Sequence, residues 1–307
     1  MIGKDILNRF DFKVDYEPNS IYPFSPVYKI SDKEKEYIIK RTQKHPEPLI
    51  AFTKMLHEKG INVVTPVELH VENPQKLDDE TYVVYPFIDG TTYTGKEDEI
   101  YQSGKLFGKI HALSPDQNIF ELGKYDVFDF TGEEIEESVA EIAKHASLVN
   151  FKLDSNKLKE KLIQIVSQQD DLQNSGLVSI ATPHDYKANN LVFTPSLYLI
   201  DPDNATWIPR IFDLALALFL FHNELESAPD RMFTPSEWKL FMSGYKEYVT
   251  LSQIEIAYWN RAIEHVFLDE VMWLMAEYKE DWENPSQQKL FRDLLEVLFD
   301  SSQYRIS

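Results

Sequence analysis

The sequence predicts an α+β fold with two unequal parts, a small mixed unit over residues 1–88 and a large, mostly helical unit over residues 89–307. Three observations support this prediction. Two strand-like runs, one amphipathic helix and two further extended runs fill the small unit. The turn formers Asp89 and Gly90 then end the last of these runs. Beyond them, most apolar residues recur at helical spacing.

The small unit begins with a predicted hairpin and helix. Residues 27–40, VYKISDKEKEYIIK, contain two strand-like runs around a polar turn. A helix is expected to start near Pro46 and Pro48 and to end before Gly60. The residues on its predicted buried face are Leu49, Phe52 and Leu56.

Two extended segments and a helix follow. Residues 61–71 and 81–88 are rich in β-branched and aromatic residues and are predicted to be extended. Residues 97–113 have helical spacing, with Gly104 and Gly108 one turn apart. Because glycine has no side chain, these two positions predict close packing against another element.

The rest of the large unit is predicted to be helical, apart from one hairpin. Residues 192–200, VFTPSLYLI, indicate two short strands around a Thr-Pro-Ser turn. Helical spacing resumes over residues 208–222, 236–248 and 254–278.

Composition and charge exclude several classes of protein. Apolar residues make up 43% of the 307 residues and aromatic residues 13%, so a folded core is expected. The absence of cysteine excludes disulfides and thiolate metal sites and agrees with a reducing, cytoplasmic location. No apolar run is long enough for a membrane span. The net charge of −20 works against nucleic acid as a partner and would attract cations.

The stretch HDYKANN, residues 184–190, combines side chains that a purely structural turn does not need. The hairpin after it would bring Asn190 and Asp201 to the same end of the strands. One amide and one carboxylate oxygen suit Mg²⁺ when phosphates and water supply its other ligands. Asp185 would orient an attacking hydroxyl and accept its proton, and Lys187 would face the transferring phosphoryl group. These features predict a phosphoryl-transfer site.

Three segments also match a known pattern in order. Residues 185–190, DYKANN, have the D-x-x-x-x-N form of a kinase catalytic loop, and residues 197–205, LYLIDPDNA, include the candidate metal-binding Asp201. Residues 211–215, IFDLA, contain an aspartate, Asp213, that would brace the loop. Together they resemble the aminoglycoside phosphotransferase/choline kinase-like family. That resemblance implies a bilobal protein-kinase-like fold, ATP or GTP as phosphoryl donor, and Mg²⁺.

The resemblance also assigns roles within the small unit. Lys40 is placed like the strand lysine that contacts the α and β phosphates of the nucleotide. Glu47, at the start of the following helix, is the implied ion-pair partner of that lysine. Tyr85 and Phe87, within VVYPFI, lie in a segment similar to the hinge whose backbone groups bind the adenine ring.

The sequence departs from the family in two places. Residues 18–27, PNSIYPFSPV, contain no glycine where the family has a glycine- or serine-rich loop, so a polar side chain such as Ser25 would have to contact the phosphates. Pro183 and His184 precede Asp185, where the family has histidine and glycine. His184 is then the candidate to support the loop.

The expected function is a kinase that transfers the γ-phosphate of ATP or GTP to a hydroxyl of a small, cationic or neutral acceptor such as an aminoglycoside or amino alcohol. Residues 1–88 would form the nucleotide-binding lobe, and residues 89–307 the catalytic and substrate-binding lobe. The alternative is a catalytically inactive kinase-like binding or scaffold protein, favoured by the two departures. A protein kinase ranks last because no D-F-G or A-P-E element is present. The acceptor, the choice of nucleotide and the oligomeric state stay open.

Overall fold

A four-stranded antiparallel sheet dominates the first part of the structure, a computed structural model that describes residues 3–22 and 25–307. Its strands, in the spatial order β1-β2-β4-β3, are β1 (Val27–Asp32), β2 (Lys35–Thr42), β3 (Gln75–Leu77) and β4 (Glu80–Pro86). Helix α1 (Gly3–Arg9) buries Ile6 and Leu7 in a small core with Ile39 of β2. Since side chains alternate along a strand, Ile38 and Lys40 lie on the opposite face.

The predicted helix after the hairpin is α2 (Glu47–Glu58). It begins after Pro46, and Gly60, with a φ of +84°, follows its end. Leu49, Phe52 and Leu56 are fully buried, as expected, and they join the large core of the second part of the chain. Helix α2 therefore connects the sheet to that core.

The second part is mostly helical. Its helices are α3 (Glu97–Ala112), α4 (Gly132–Leu148), α5 (Ser155–Val166), α6 (Gln169–Gln173), α7 (Arg210–Leu220), α8 (Pro235–Tyr245), α9 (Gln253–Val266), α10 (Met272–Glu277), α11 (Lys279–Glu283) and α12 (Pro285–Phe299). Its short strands are β5 (Thr91–Thr92), β6 (Ser179–Thr182), β7 (Leu191–Thr194), β8 (Ser196–Leu199) and β9 (Thr206–Pro209). Strands β5, β7 and β8 form one small sheet, and β6 pairs with β9. A small antiparallel sheet followed by a helical part confirms the predicted α+β class.

Helix α7 lies at the centre of the large core, since every residue from Ile211 to Leu220 is buried.

The expected division near residues 88–90 stays a prediction. It agrees with the strand pairing, because β5 pairs with β7 and not with the first sheet. Within the described residues, no helix combines the length and apolar character needed to cross a membrane.

Helices α3 and α8 pack closely through glycines, as the sequence predicted for α3. A Cβ atom on Gly104 or Gly108 would overlap the backbone carbonyl oxygen of Phe241 or Tyr245 in α8. A Cβ on Gly244 of α8 would likewise overlap the backbone of α3. The two helix backbones approach as closely as they do because these positions have no side chains.

Residues 61–71 do not form the expected strand. Pro66 lacks an N–H group, which interrupts a hydrogen-bonded ladder. The side chain of Asn73 takes the place of a strand partner, because it both donates to the Val84 carbonyl and accepts from the Val84 N–H, each at 2.9 Å. The Val67 N–H also donates to the Val84 carbonyl at 3.0 Å. One backbone hydrogen bond and one side-chain amide therefore hold this segment against β4, and they leave no periodic signal in the sequence.

The predicted helix over residues 254–278 is interrupted by a π-helical turn, Phe267–Val271, between α9 and α10. Phe267, Leu268 and Val271 remain buried there. Between them, Asp269 accepts a hydrogen bond from the Tyr125 hydroxyl, and the Glu270 carboxylate lies 4.0 Å from the imidazole of His184. Helix α1 and strands β3, β5, β6 and β9 were not predicted either, and each is short.

We predict that Gly104→Ala lowers the free energy of unfolding by about 2 kcal/mol or more, because the added methyl group forces α3 and α8 apart. This loss would outweigh the gain of about 1 kcal/mol that alanine gives in a helix. Urea unfolding followed by circular dichroism measures the change. The control is Gly123→Ala, where a Cβ would meet no atom within 4 Å. Equal stability of the two variants would contradict the packing argument.

Candidate active site

A cleft of about 830 Å³ lies between the four-stranded sheet and the segments around β7 and β8. Its lining includes most of the site residues predicted from the sequence: Ser25, Lys40, Tyr85, Phe87, Asp185, Asn190 and Asp201. Lys187 and Glu47 do not line it. The fold therefore gathers residues that lie more than 170 positions apart in the chain.

In the loop after β6, the buried residues Tyr186 and Ala188 alternate with partly exposed residues. Tyr186 stacks on Phe107 with ring centroids 4.3 Å apart, and its hydroxyl donates to the Ser103 carbonyl at 2.9 Å. The Ala188 N–H donates to the Phe221 carbonyl at 2.8 Å. These two buried residues fix the loop to the helical core, so that Asp185, the residue before Tyr186, is held at the cleft.

Lys187 is paired with carboxylates. Its ammonium lies 2.9 Å from Asp185 and 3.8 Å from Glu224, a cleft residue that was not predicted from the sequence. Burial alone would lower the pKa of Lys187, but the two carboxylates outweigh it and raise the pKa. Lys187 is therefore a permanent positive charge beside Asp185.

Asn190 and Asp201 are brought together by the strands between them. Asn190 ends a 3₁₀ turn, Ala188–Asn190, and its carbonyl accepts from the Ile200 N–H at 2.9 Å, next to Asp201. The Asn190 side-chain NH₂ group donates to the Asp185 carbonyl at 3.0 Å, which leaves its amide oxygen to act as a ligand.

These oxygens fit a divalent cation that is held mainly by phosphates. In residues 3–22 and 25–307, no group of three or more His, Cys, Asp or Glu side chains could hold a metal ion without help. One amide oxygen and one carboxylate are the protein contribution that Mg²⁺ accepts when a nucleotide supplies further oxygens. The donor set at Asn190 and Asp201 agrees with that arrangement.

Lys40 does not pair with Glu47, and this expectation was wrong. The Lys40 ammonium lies 2.6 Å from Asp201 and 3.2 Å from Asp203. Glu47 is exposed in the first turn of α2, where a negative charge is favoured by the helix dipole alone. The acidic partners of Lys40 lie in the segment after β8. They are so far from Lys40 along the chain that residue spacing in the sequence could not identify them.

Asp203 is the buried partner that holds Lys40. It is 7% exposed, and the Tyr85 hydroxyl donates to its carboxylate at 2.7 Å. Its backbone carbonyl accepts from the side-chain amide of Gln43 at 2.8 Å. Burial raises the pKa of Asp203 to about 6, although Lys40 acts in the opposite direction.

The predicted hinge contributes side chains to the cleft. Tyr85 is buried and uses its hydroxyl to hold Asp203. Phe87 lines the cleft, and the Lys29 ammonium lies 3.5 Å from the centre of its ring. The Phe87 N–H already donates to the Glu36 carbonyl at 3.0 Å. A nucleotide base would therefore use other backbone groups of this segment.

The glycine-free loop is only partly within the described residues, since Pro23 and Phe24 lie outside them. Ser25 lines the cleft. The Ser20 hydroxyl donates to the Tyr22 carbonyl at 2.7 Å and accepts from the Val27 N–H at 3.1 Å. Hydrogen bonds from one serine thus hold the two sides of the loop together without glycine.

Asp213 is the centre of a buried hydrogen-bond network beside the loop. Its carboxylate accepts from the Thr182 hydroxyl at 2.6 Å and contacts ring nitrogens of His111 and His184, each at 3.0 Å. Burial alone would raise the pKa of Asp213, but these hydrogen bonds and the two imidazoles lower it well below its usual range. The position of Asp213 agrees with the predicted brace, whereas nothing in the sequence singled out His111 or Thr182.

The sequence of the chain matches a model of the phosphotransferase enzyme family over residues 24–235, which is more than half of its length. The chain belongs to this family. No curated protein sequence matches it significantly.

Solved structures similar to this one share its fold at low sequence identity. The AMP-bound complex of spectinomycin phosphotransferase, APH(9)-Ia, has a TM-score of 0.65 and 18% identity, covering 98% of this chain and 99% of its own. Amicoumacin kinase hAmiN in complex with AMP-PNP, Ca²⁺ and Ami has a TM-score of 0.61 and 14% identity, with coverages of 94% and 89%. Choline kinase LicA from Streptococcus pneumoniae has a TM-score of 0.54 and 20% identity, with coverages of 97% and 98%.

We predict that Asp213→Asn lowers the free energy of unfolding at pH 7 by about 3 kcal/mol. The substitution removes the buried negative charge that the two histidines and Thr182 contact. Since the folded-state pKa of Asp213 is depressed, its contribution is present above the ordinary aspartate pKa of about 4 and is lost as the pH falls below it. The difference between parent and variant should therefore shrink between pH 6 and pH 3. Urea unfolding across this range measures it.

The control is Asp116→Asn, which changes an exposed aspartate and should alter stability by less than about 0.5 kcal/mol. If the Asp213→Asn difference were the same at pH 3 and pH 6, Asp213 would not be held as a buried anion.

Proposed function

We propose that the protein is a small-molecule kinase that transfers the γ-phosphate of ATP or GTP to a hydroxyl of a small acceptor. The observation that carries this proposal is the cleft that collects Lys40, Asp185, Asn190 and Asp201. Family membership supports it, and so do the activities in the names of similar structures, which include spectinomycin phosphotransferase and choline kinase. Residues 1–88 would be the nucleotide-binding lobe, and the rest of the chain the catalytic lobe.

Each residue has a distinct role in this proposal. Asn190 and Asp201 would hold Mg²⁺, which would neutralise charge on the phosphate oxygens when bound. Lys40 would contact the α and β phosphates, and Phe87 and Ser25 would contact the base and the phosphate end of the nucleotide. Asp185 would orient the acceptor hydroxyl and take its proton. Lys187, whose ammonium lies 2.9 Å from Asp185, would hold that carboxylate in place and offset charge on the transferring group.

The acceptor proposed here is a hydroxylated amine. The net charge of −20 favours a cation, and Asp185 and Glu224 add carboxylates at the lining of the cleft itself. A catalytically inactive kinase-like binding or scaffold protein is the second candidate. It is favoured by the glycine-free loop and by the ion pair between Lys40 and Asp201, which occupies two groups that a nucleotide and metal would need.

Nucleotide-dependent thermal stability separates these candidates. We expect ATP with Mg²⁺ at 100 times its dissociation constant to stabilise the protein by about 2.7 kcal/mol, and ATP without Mg²⁺ to do much less. Asp201→Asn should remove the Mg²⁺-dependent stabilisation. Asp116→Asn changes a residue outside the cleft lining and should retain that stabilisation. Absence of any Mg²⁺-dependent stabilisation in the parent would favour the scaffold function.

Transfer itself is tested with a panel of hydroxylated amines, including choline, amino alcohols and aminoglycosides, by following the phosphorylated product with ³¹P NMR. Asp185→Asn should reduce kcat by about 10² to 10⁴, with little change in the KM for ATP, because a positioned general base contributes in that range. An Asp185→Asn enzyme that turns over as fast as the parent would show that Asp185 does not have the proposed role.

A further inference from the structure

His184 occupies a backbone conformation that a β-carbon disfavours. Its φ is +54° and that of Asp185 is +46°, so two consecutive non-glycine residues lie in the left-handed region. Glycine would adopt this turn without strain. The side chain of His184 must therefore provide interactions that offset the cost of its backbone.

The imidazole of His184 lies between two carboxylates. Its Nδ1 is 3.0 Å from Asp213 on α7, and its Nε2 is 4.0 Å from Glu270 on the π-helical turn. A neutral imidazole has one N–H and can donate from one nitrogen only, whereas an imidazolium donates from both. The 4.0 Å contact with Glu270 is an ion-pair distance and too long for a hydrogen bond, so an imidazolium, which attracts both carboxylates, is the form that suits both neighbours.

The charged groups around His184 come from every element packed against it. Asp213 also contacts His111 of α3, whose burial lowers its pKa and favours the neutral form. Asp185 and Lys187 belong to the loop of His184 itself and pair with each other. Burial would lower the pKa of His184, but Asp213, with smaller effects of Glu270 and Asp185, raises it.

The π-helical turn is itself held from its other side. Asp269 accepts from the Tyr125 hydroxyl at 2.7 Å, and Tyr125 contacts a ring nitrogen of buried His265 at 2.9 Å. This leaves Glu270 facing the loop. Its carboxylate makes no ion pair other than that with His184 in the described part of the chain. Wide turns of this type often occur at functional sites.

We propose that His184, as an imidazolium joining Asp213 to Glu270, is a positioning residue that fixes the left-handed turn presenting Asp185 and couples it to the π-helical turn. The role of Asp185 in transfer rests on the proposed function, whereas the bridge does not. A change in the position of the π-helical turn would reach Asp185 through one side chain.

The bridge is tested without activity by NMR titration of the imidazole nitrogens of the parent, assigned by the signals lost in His184→Asn. We expect His184 to titrate above pH 6.5, and Glu270→Gln to shift its midpoint downward. The control, Glu277→Gln, changes an exposed carboxylate of α10 and should leave the midpoint unchanged. A midpoint below 6.5, or one that Glu270→Gln does not move, would overturn the bridge.

The positioning role is tested by hydrolysis of ATP in the presence of Mg²⁺, with water as acceptor. His184→Gly relieves the backbone but should reduce kcat at least 10-fold, with the KM for ATP changed less than twofold. The parent kcat should fall as the pH rises through the His184 midpoint, and this limb should be absent from His184→Gly and His184→Asn. Glu270→Gln should shift the limb to lower pH. Parent-like kcat and pH profile in His184→Gly would overturn the role.

Two further outcomes are informative. If His184→Gly does not fold, Glu270→Gln and His184→Asn are compared with the parent in its place. A parent-like dependence of kcat on pH in both variants would refute the proposal. If the parent neither hydrolyses ATP nor phosphorylates any acceptor, the proposed function fails. Amide hydrogen exchange of residues 184–190 then tests the positioning role of His184. Faster exchange in Glu270→Gln than in Glu277→Gln would support that role, and equal exchange would oppose it.

Discussion

The ion cluster of Lys40 with Asp201 and Asp203 is the interaction on which the geometry of the cleft depends. Lys40 belongs to the first sheet, and both carboxylates belong to the segment after β8. The side chains of Lys40 and Asp203 are largely buried, and buried charges are tolerated when they are paired, since breaking the pair leaves an uncompensated charge. The same pairing that satisfies Lys40 therefore holds the two sides of the cleft in contact. Tyr85 adds a hydrogen bond from the sheet to Asp203, so the cluster does not depend on the metal or nucleotide to form.

A second constraint acts on the opposite side of the cleft, where the loop at residues 184–190 is held by its buried members. Tyr186 and Ala188 are fixed in the helical core, and the residues between and before them face charged partners. Asp213 receives three hydrogen-bonding contacts at a fully buried position, which makes this region costly to rearrange. Rigid support of this kind is what positioning of a reacting hydroxyl requires.

The sequence was a good guide wherever local pattern determines structure. The hairpin, helix α2 and the glycine contacts of α3 each depend on neighbouring residues, and all are present. The expected ion pair between Lys40 and Glu47 was wrong because Lys40 instead contacts a segment about 160 residues away in the chain. The π-helical turn was missed because a single wide turn changes the spacing of the apolar residues too little to be recognised in the sequence. The roles of Lys40, Asp185, Asn190 and Asp201 remain predictions that their shared cleft supports.

The most direct measurement is a crystal structure of the protein with Mg²⁺ and a non-hydrolysable ATP analogue. We expect a metal ion with the Asn190 amide oxygen and the Asp201 carboxylate at about 2.1 Å, the distance typical of Mg²⁺. Lys40 should have moved from Asp201 to the phosphates, and Asp185 should face the terminal phosphate across open space. A metal bound through other residues, or a nucleotide outside the cleft, would contradict the central claim.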